Sequence, residues 1–291
     1  MSLSTLDIPA ILRQFGLHPD KKLGQNFLID PEALERIIQV AEIHPQDCVL
    51  EIGPGLGSLT RYLATNARHV IAVELDRKLI PPLGKILAEY TNVKLVEGDI
   101  LALNPTELIR QGCLVGEQND LSAYLVVANI PYYITSALIR HLLGAPVKPA
   151  RLVLTVQREV AERICAAPGD LSLLALSVQV FGEAKVKTRI PAAAFYPAPQ
   201  VDSAVVRVDL FQEPLIPELW LKDFFRLAKA GFSQKRKTLR NALSGGLAWR
   251  PQEVSDLLTE AGIDPQRRAE TVSLAEWQAL TAVYRDKASS G

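Results

Sequence analysis

The chain has 291 residues, 48% of them apolar and 22% charged, which suggests about two domains with a real hydrophobic core and excludes a disordered or collagen-like polypeptide. Lys and Arg total 32 and Asp and Glu total 32, so the formal net charge is zero; this argues against a chain that is basic throughout, but says nothing about where the charges lie. Three cysteines, Cys48, Cys113 and Cys165, are far apart with no CxxC pair, which supports neither a disulfide framework nor a zinc site, so no metal is expected and the cysteines read as small buried hydrophobes.

Met1 to Ala10 lacks the basic start and apolar stretch of a signal peptide, and later apolar runs are broken well short of a membrane span. A cytoplasmic protein with no membrane partner is expected. From about residue 48 to 157, β-branched runs alternate with amphipathic helical patterns, the signature of βαβ units and a parallel sheet buried on both faces. The expected strands are Cys48 to Ile52, Val70 to Leu75, Val93 to Val96, Tyr124 to Ala128 and Leu152 to Val156, and the helical stretches include Leu56 to Ala67 and Ile134 to Leu143. Leu176 to Val186 and Ser203 to Leu210, separated by the loop Pro191 to Pro199, read as an antiparallel pair at the sheet edge.

Beyond Leu210 the texture changes. Phe211 to Pro217 reads as a linker; Leu219 to Ala230 and Lys235 to Leu243 show helical spacing; Pro251 to Ala261 stops at Gly262; and Ser273 with Glu276 forms a capping-box pattern before Trp277 to Tyr284. Trp220 and Trp277 fall on apolar helix faces and are expected in the core of this part. The expected division is an α/β domain over 1–210 and a helical domain over 211–291.

Chemistry gathers at the strand ends. The first strand runs into Glu51-Ile52-Gly53-Pro54-Gly55-Leu56-Gly57-Ser58, where glycines permit a sharp turn and close approach of a ligand. A dinucleotide fingerprint requires a sixth-position glycine, but that position is Ser58; Glu51 would repel a pyrophosphate and suits a cation such as a sulfonium. Glu74 ends the second strand, where a carboxylate can accept both ribose hydroxyls, and Asp99 follows the third, where it can accept from an adenine amino group. This set, with Gly53, Gly55, Leu75 and Ile100 beside it, fits S-adenosylmethionine better than NAD.

The fourth strand ends in Asn129-Ile130-Pro131-Tyr132-Tyr133. An exocyclic amine on a base is a poor nucleophile because its lone pair is delocalised, so it needs acceptors that orient its hydrogens and turn the lone pair toward the methyl group. The Asn129 oxygen and the Ile130 carbonyl can supply them, Pro131 imposes an extended turn, and Tyr132 can stack on the base.

Asn129-Ile-Pro-Tyr132, together with Lys22-Leu-Gly-Gln-Asn-Phe-Leu-Ile-Asp30, Gln157-Arg-Glu-Val-Ala161, Phe195-Tyr-Pro-Ala-Pro-Gln-Val-Asp-Ser203 and Phe232-Ser-Gln-Lys-Arg-Lys-Thr238, resembles the ribosomal RNA adenine N6,N6-dimethyltransferases, most closely their bacterial small-subunit type. The resemblance implies a Rossmann-like class I S-adenosylmethionine-dependent methyltransferase sheet with a small all-helical C-terminal domain. It implies that Asn26 and Leu28 close over the cofactor, that Gly53 sits beneath it, that Asn129 serves both cofactor and methyl transfer, and that Phe195 takes the face of the base opposite Tyr132. The implied substrate is a pair of adjacent adenines near the 3′ end of 16S rRNA in an immature 30S subunit, with nearby ribosomal proteins as possible contacts and the enzyme acting as a monomer. One departure is visible: after Pro168-Gly169 the family's Tyr-Gly pattern is replaced by Leu173-Leu174.

Lys222 to Arg250 holds eight cations (Lys222, Arg226, Lys229, Lys235, Arg236, Lys237, Arg240 and Arg250) against the single acid Asp223, so the neutral sum conceals a local charge of +7. Lys235, Arg236, Lys237 and Arg240 are the expected RNA contacts here, with Lys21 and Lys22 extending the track; such contacts position RNA without reading its sequence. Two alternatives share much of this pattern: a 23S rRNA resistance methyltransferase, disfavoured by the Phe-Ser-Gln-Lys-Arg-Lys-Thr segment and the Phe-x-Pro-x-Pro loop, and a ribosome-assembly factor without catalysis, disfavoured by Glu74, Asp99, Asn129 and Tyr132.

Overall fold

A computed structural model describes residues 3–113, 124–131 and 134–289. They pack as two compact units, one of residues 1–161 with 185–210 and the other of 162–184 with 211–291. The second unit therefore takes in residues 162–184, which the sequence reading places with the first.

The strands are β1 (Phe27–Leu28), β2 (Cys48–Ile52), β3 (His69–Glu74), β4 (Val93–Glu97), β5 (Tyr124–Asn129), β6 (Arg151–Gln157), β7 (Gly182–Ile190), β8 (Phe195–Tyr196) and β9 (Ser203–Leu210), all in the first unit except for the first three residues of β7. Seven form one sheet in the order β4-β3-β2-β5-β6-β9-β7. The neighbours from β4 across to β6 are parallel, with registers Leu50↔Ile71, Glu74↔Glu97, Leu50↔Val126 and Asn129↔Thr155. Only β9 reverses against β6, pairing Thr155 with Val205. All five residues of β2 are buried, as expected for a strand covered on both faces. Chain order runs outward from β2 to β3 and β4, then returns to β5 on its other side; this reversal opens a crevice at the carboxyl ends of β2 and β5.

The five parallel strands lie within a residue or so of where the β-branched runs place them. Leu176–Val186 does not form one strand. Residues Leu173–Gln179 are helical, with the Ser172 hydroxyl accepting the Ala175 N–H at 3.2 Å, and β7 begins only at Gly182. Leu174 to Val178 are all buried, and a short apolar run buried on every side carries no period that tells helix from strand. The leucines that replace the family's Tyr-Gly pattern thus open a buried helix.

The structure also corrects the expectation that the cysteines stand apart. Cys48 at the start of β2 and Cys113 at the end of the helix Pro105–Cys113 are brought side by side, their Cα atoms 6.1 Å apart, a separation that a disulfide can span. A separation of 65 residues gave no hint of it. Arg151 on β6 and Arg207 on β9 grip the C-terminal end of the helix Pro31–Ala41, donating to the Ala41 and Val40 carbonyls at 2.7 and 3.1 Å, while Asp209 holds both guanidinium groups at 2.6 and 2.8 Å. Cations at a helix C-terminus complement its unpaired carbonyls.

In the second unit the helices are Leu221–Gly231, Leu239–Leu247, Pro251–Glu260 and Leu274–Ser289. The expected helix start at Lys235 is overturned: Thr238 is the N-cap, its hydroxyl accepting the Asn241 N–H at 3.4 Å, so Lys235 to Lys237 lie in the preceding turn. The Ser273–Glu276 capping box is present, the Glu276 carboxylate accepting the Ser273 N–H at 2.7 Å and the Ser273 hydroxyl the Glu276 N–H at 3.3 Å. Trp277 is fully buried, whereas Trp220 is half-buried beneath the Arg285 guanidinium. The 211–217 segment is tied down by bonds from the Phe211 and Leu215 amides to the Phe181 and Val180 carbonyls.

Candidate functional site

A cavity of about 340 Å³ lies at the carboxyl ends of β2, β3, β4 and β5. Each strand contributes residues at or just beyond its carboxyl end: Gly53 and Gly55 from β2, Glu74 and Leu75 from β3, Asp99 and Ile100 from β4, and Asn129, Ile130 and Pro131 from β5. The segment from Leu23 to Leu28 supplies a further wall, including Asn26 and Leu28.

Backbone geometry makes the glycines necessary at two positions. Gly53 has φ +69° and abuts the turn that follows β5, a Cβ placed there lying 3.7 Å from the Pro131 Cδ. Gly55 has φ +61°, and its Cβ would fall 2.9 Å from Cδ1 of Phe27, so the ring from the N-terminal segment closes on the glycine turn without room for a methyl group.

Glu74 is 6% exposed and holds this corner: Oε2 accepts the Gly55 N–H at 3.0 Å and Oε1 the Asp76 N–H at 2.8 Å. Burial pushes its carboxyl up, and the two amide bonds pull it back. Each oxygen retains a second lone pair, the capacity that ribose hydroxyls would need. Exposed Asp99 uses Oδ1 to accept the Leu101 N–H at 2.9 Å, and buried Ile100 with exposed Leu75 provides apolar surface beside it.

Glu51 is the group that demands a partner. It is 1% exposed, it lines the cavity, and its Oε2 makes no hydrogen bond. Burial pushes its carboxyl up to about 8, and the negative charge of nearby Glu74 acts in the same direction. The Thr60 hydroxyl pulls the value back, but a buried carboxyl oxygen without a hydrogen bond beside a glycine turn fits a ligand bearing a positive charge or N–H donors and disfavours a pyrophosphate, so the donor set is compatible with S-adenosylmethionine.

At the far wall Asn129 donates from Nδ2 to the Asn26 carbonyl at 3.2 Å, which sets the amide orientation and leaves Oδ1 as the acceptor on offer. The Ile130 N–H is taken up by the Thr155 carbonyl on the neighbouring strand at 3.2 Å, which fixes the start of the Pro131 turn. Tyr132 lies outside the described residues. Phe195 is not at the cavity: it pairs with Leu28 across β1 and β8, is 3% exposed, and packs in a cluster with Leu28, Leu34 and Ile190. In a two-stranded ribbon alternate residues face opposite ways, so the next residue, Tyr196, is 37% exposed.

Sequence reasoning overlooked the contacts that seat the N-terminal segment. Gln25 Nε2 donates to Asp76 Oδ2 at 2.7 Å, across 51 residues of chain, and the Asn26 carbonyl meets Asn129 across 103. The only available signal was that both partners lie in motifs already singled out.

The cations divide. Lys21 and Lys22 are exposed in a short 3-10 turn capped by Asp20. Lys222, Arg226 and Lys229 are exposed at positions i, i+4 and i+7 of the helix Leu221–Gly231, and Lys235, Arg236 and Lys237 are exposed after it. Arg240 is half-buried, and Arg250 is paired with Glu253 at 2.6 Å, which removes it from the open positive charge. Asp223, the single acid of the run, is held by Arg285 at 2.5 Å.

Residues 17–286 match the family model described as Ribosomal RNA adenine dimethylase. The chain is 44% identical over 276 residues to the Ribosomal RNA small subunit methyltransferase A of Dehalococcoides mccartyi, covering 95% of this chain and 92% of the relative. Among solved structures, a dimethyladenosine transferase from Plasmodium falciparum is similar with a TM-score of 0.74 and 26% identity, covering 90% of this chain and 98% of the other. The 23S rRNA methyltransferase ErmE is similar with a TM-score of 0.69 and 28% identity, covering 89% and 99%.

Proposed function

The chain belongs to the ribosomal RNA adenine dimethylase family, and on that premise we propose that it dimethylates N6 of two adjacent adenines in the loop of the hairpin near the 3′ end of 16S rRNA, in an immature small subunit. It is an S-adenosylmethionine-dependent rRNA adenine methyltransferase; the position and timing are the finer part of the reading. The supporting observation is the arrangement of Glu74, Asp99 and Asn129 around one cavity at the ends of consecutive parallel strands, with the Asn129 amide oriented by the Asn26 carbonyl.

When bound, S-adenosylmethionine supplies a methyl group activated on a sulfonium. Glu74 holds the ribose hydroxyls, Leu75 and Ile100 flank the adenine ring, Asp99 accepts from its amino group, and Gly53 and Gly55 let the backbone approach. Glu51 faces the cationic part of the ligand, while Asn26 and Leu28 close the cavity from above. On the substrate side, Asn129 Oδ1 and the Ile130 carbonyl accept the N6 hydrogens and turn the amine's lone pair out of conjugation, and Tyr132 stacks on the base that the enzyme must unstack from its RNA. No strong general base is needed, since alignment and exclusion of water do most of the work. Phe195 supports this site from the core as the partner of Leu28, and Tyr196 is the aromatic residue of that strand that faces outward.

The second unit supplies the RNA-facing surface, with Lys235, Arg236, Lys237 and Arg240, to which the helix cations Lys222, Arg226 and Lys229 add; Lys21 and Lys22 belong to the same function. The enzyme works as a cytoplasmic monomer with ribosomal proteins near its target; among the described residues no helix is long and apolar enough to cross a membrane. The test is to incubate the protein and methyl-labelled cofactor with unmethylated 30S particles, and separately with 23S rRNA, and to map the modified bases. Dimethyladenine confined to the 16S 3′ loop is expected. Label only in 23S rRNA, or tight 30S binding without label, would overturn the reading.

A further inference from the structure

Gln25 has no part in the roles assigned above, yet its side chain ties the N-terminal segment to the ribose corner by hydrogen bonds, beside the packing of Phe27 on Gly55. Its Oε1 accepts the Asp20 N–H at 2.8 Å, and its Nε2 donates to Asp76 Oδ2 at 2.7 Å. Asp76 is built into the ribose corner: its N–H donates to Glu74 Oε1 at 2.8 Å, its Oδ1 accepts the Lys78 N–H at 3.0 Å, and the other oxygen of Glu74 holds the Gly55 amide. One residue after Gln25, the Asn26 carbonyl receives the Asn129 amide.

Gln25 is chemically apt for this bridge. It must accept from one backbone amide and donate to one carboxylate. A Glu would set two carboxylates against each other, and a Lys could not accept from Asp20. Its bond to Asp76 has an ionised acceptor, which makes it stronger than the neutral contact between Asn129 and Asn26.

We infer that Gln25 is a positioning residue, whose bridge from the Asp20 amide to the Asp76 carboxylate seats residues 24–28 over the cavity so that the Asn26 carbonyl holds the Asn129 amide in its working orientation. The inference rests on the reading of the site given under Proposed function. Gln25 itself lines the cavity, and sequestering the cofactor and aligning the amine then depend on its contact with Asp76.

The test compares Gln25→Ala, Asp76→Ala, Asp76→Asn and the double alanine variant by three measurements: amide hydrogen exchange of residues 22–28 in the ligand-free protein, calorimetric binding of S-adenosylhomocysteine without RNA, and kcat and KM on unmethylated 30S particles. Gln25→Ala should speed exchange in 22–28 by about tenfold, weaken S-adenosylhomocysteine by about tenfold and lower kcat by at least as much, while the KM for 30S stays within about twofold. Asp76→Asn offers one oxygen to two donors, Gln25 Nε2 and the Lys78 N–H, and should fall between wild type and Asp76→Ala, and the double variant should be no worse than Asp76→Ala alone. Unchanged exchange in 22–28, or single-variant losses that multiply in the double variant, would overturn the inference. If the wild-type protein binds S-adenosylhomocysteine but methylates no rRNA, the functional reading fails, while the exchange and binding measurements still decide the role of Gln25.

Discussion

Replacing Glu51 by Gln should make the ligand-free protein more stable, by an amount that depends on pH. The carboxyl is 1% exposed, and its value is raised from the ordinary 4.5 to about 8. A raised acid is favourable to folding below pH 4.5 and loses that advantage as pH climbs toward 8, because the unfolded chain ionises there and the folded one does not. At pH 7 the unfolded carboxyl is about 2.5 units past its midpoint and the folded one is still mostly protonated. The difference amounts to about 3 kcal/mol. Gln is nearly isosteric and never ionises, so it escapes this cost; its second N–H needs a partner, which makes about 3 kcal/mol an upper figure. At roughly 2–4 °C per kcal/mol for a chain of this size, the midpoint should rise by several degrees at pH 7 and by almost nothing at pH 4.5. Thermal unfolding of both proteins from pH 4.5 to 8 measures this, and the shared titrations of other groups cancel in the difference. A gap that is absent, or flat across that range, would refute the reasoning. Cofactor affinity gives a second reading: in the wild type it should strengthen as pH rises through 7 to 8, and in Glu51→Gln it should stay level.

Asn129→Ala removes the side-chain amide whose Nδ2 donates to the Asn26 carbonyl and whose Oδ1 is the acceptor, and single-turnover methyl transfer to 30S should fall by about a hundredfold or more, while 30S binding changes little. Changing Lys235, Arg236 and Lys237 together to Ala should weaken 30S binding and reduce the slope of log affinity against log salt by about 2; an unaltered slope would remove this turn from the RNA surface. Gly246→Ala places a Cβ 2.6 Å from the Cβ and 2.8 Å from the Cα of Ala230, where backbone cannot yield, so a loss of about 1–3 kcal/mol in chemical denaturation is expected in spite of the better helix propensity; a gain in stability would show that the two helices can part.

The parallel sheet, the glycine turn, the acidic strand ends and the capping box at Ser273 were legible in the amino-acid sequence because each depends on local chemistry: β-branched runs between turns, φ-positive positions open to glycine, a hydroxyl three residues before a carboxylate. Leu173–Gln179 was misread because apolar residues at every position leave no period to follow, and Lys235–Lys237 because charged residues satisfy helical spacing without forming a helix. The neutral total charge was likewise true of the sum and uninformative about the exposed cations of the second unit. What only the tertiary structure decided are the relations between distant segments. Phe195 turned inward because its register against Leu28 assigns it the core face and gives the outward face to Tyr196. The approach of Cys113 to Cys48 at the amino end of β2, and the bonds from Gln25 to Asp76 and from Asn129 to Asn26 at the carboxyl ends of β3 and β5, exist because the fold brings segments distant in sequence to the same end of the sheet. Residue spacing records the period of a strand or a helix, but which strands become neighbours is set by how the whole sheet buries its apolar faces, and the site's partners follow from that.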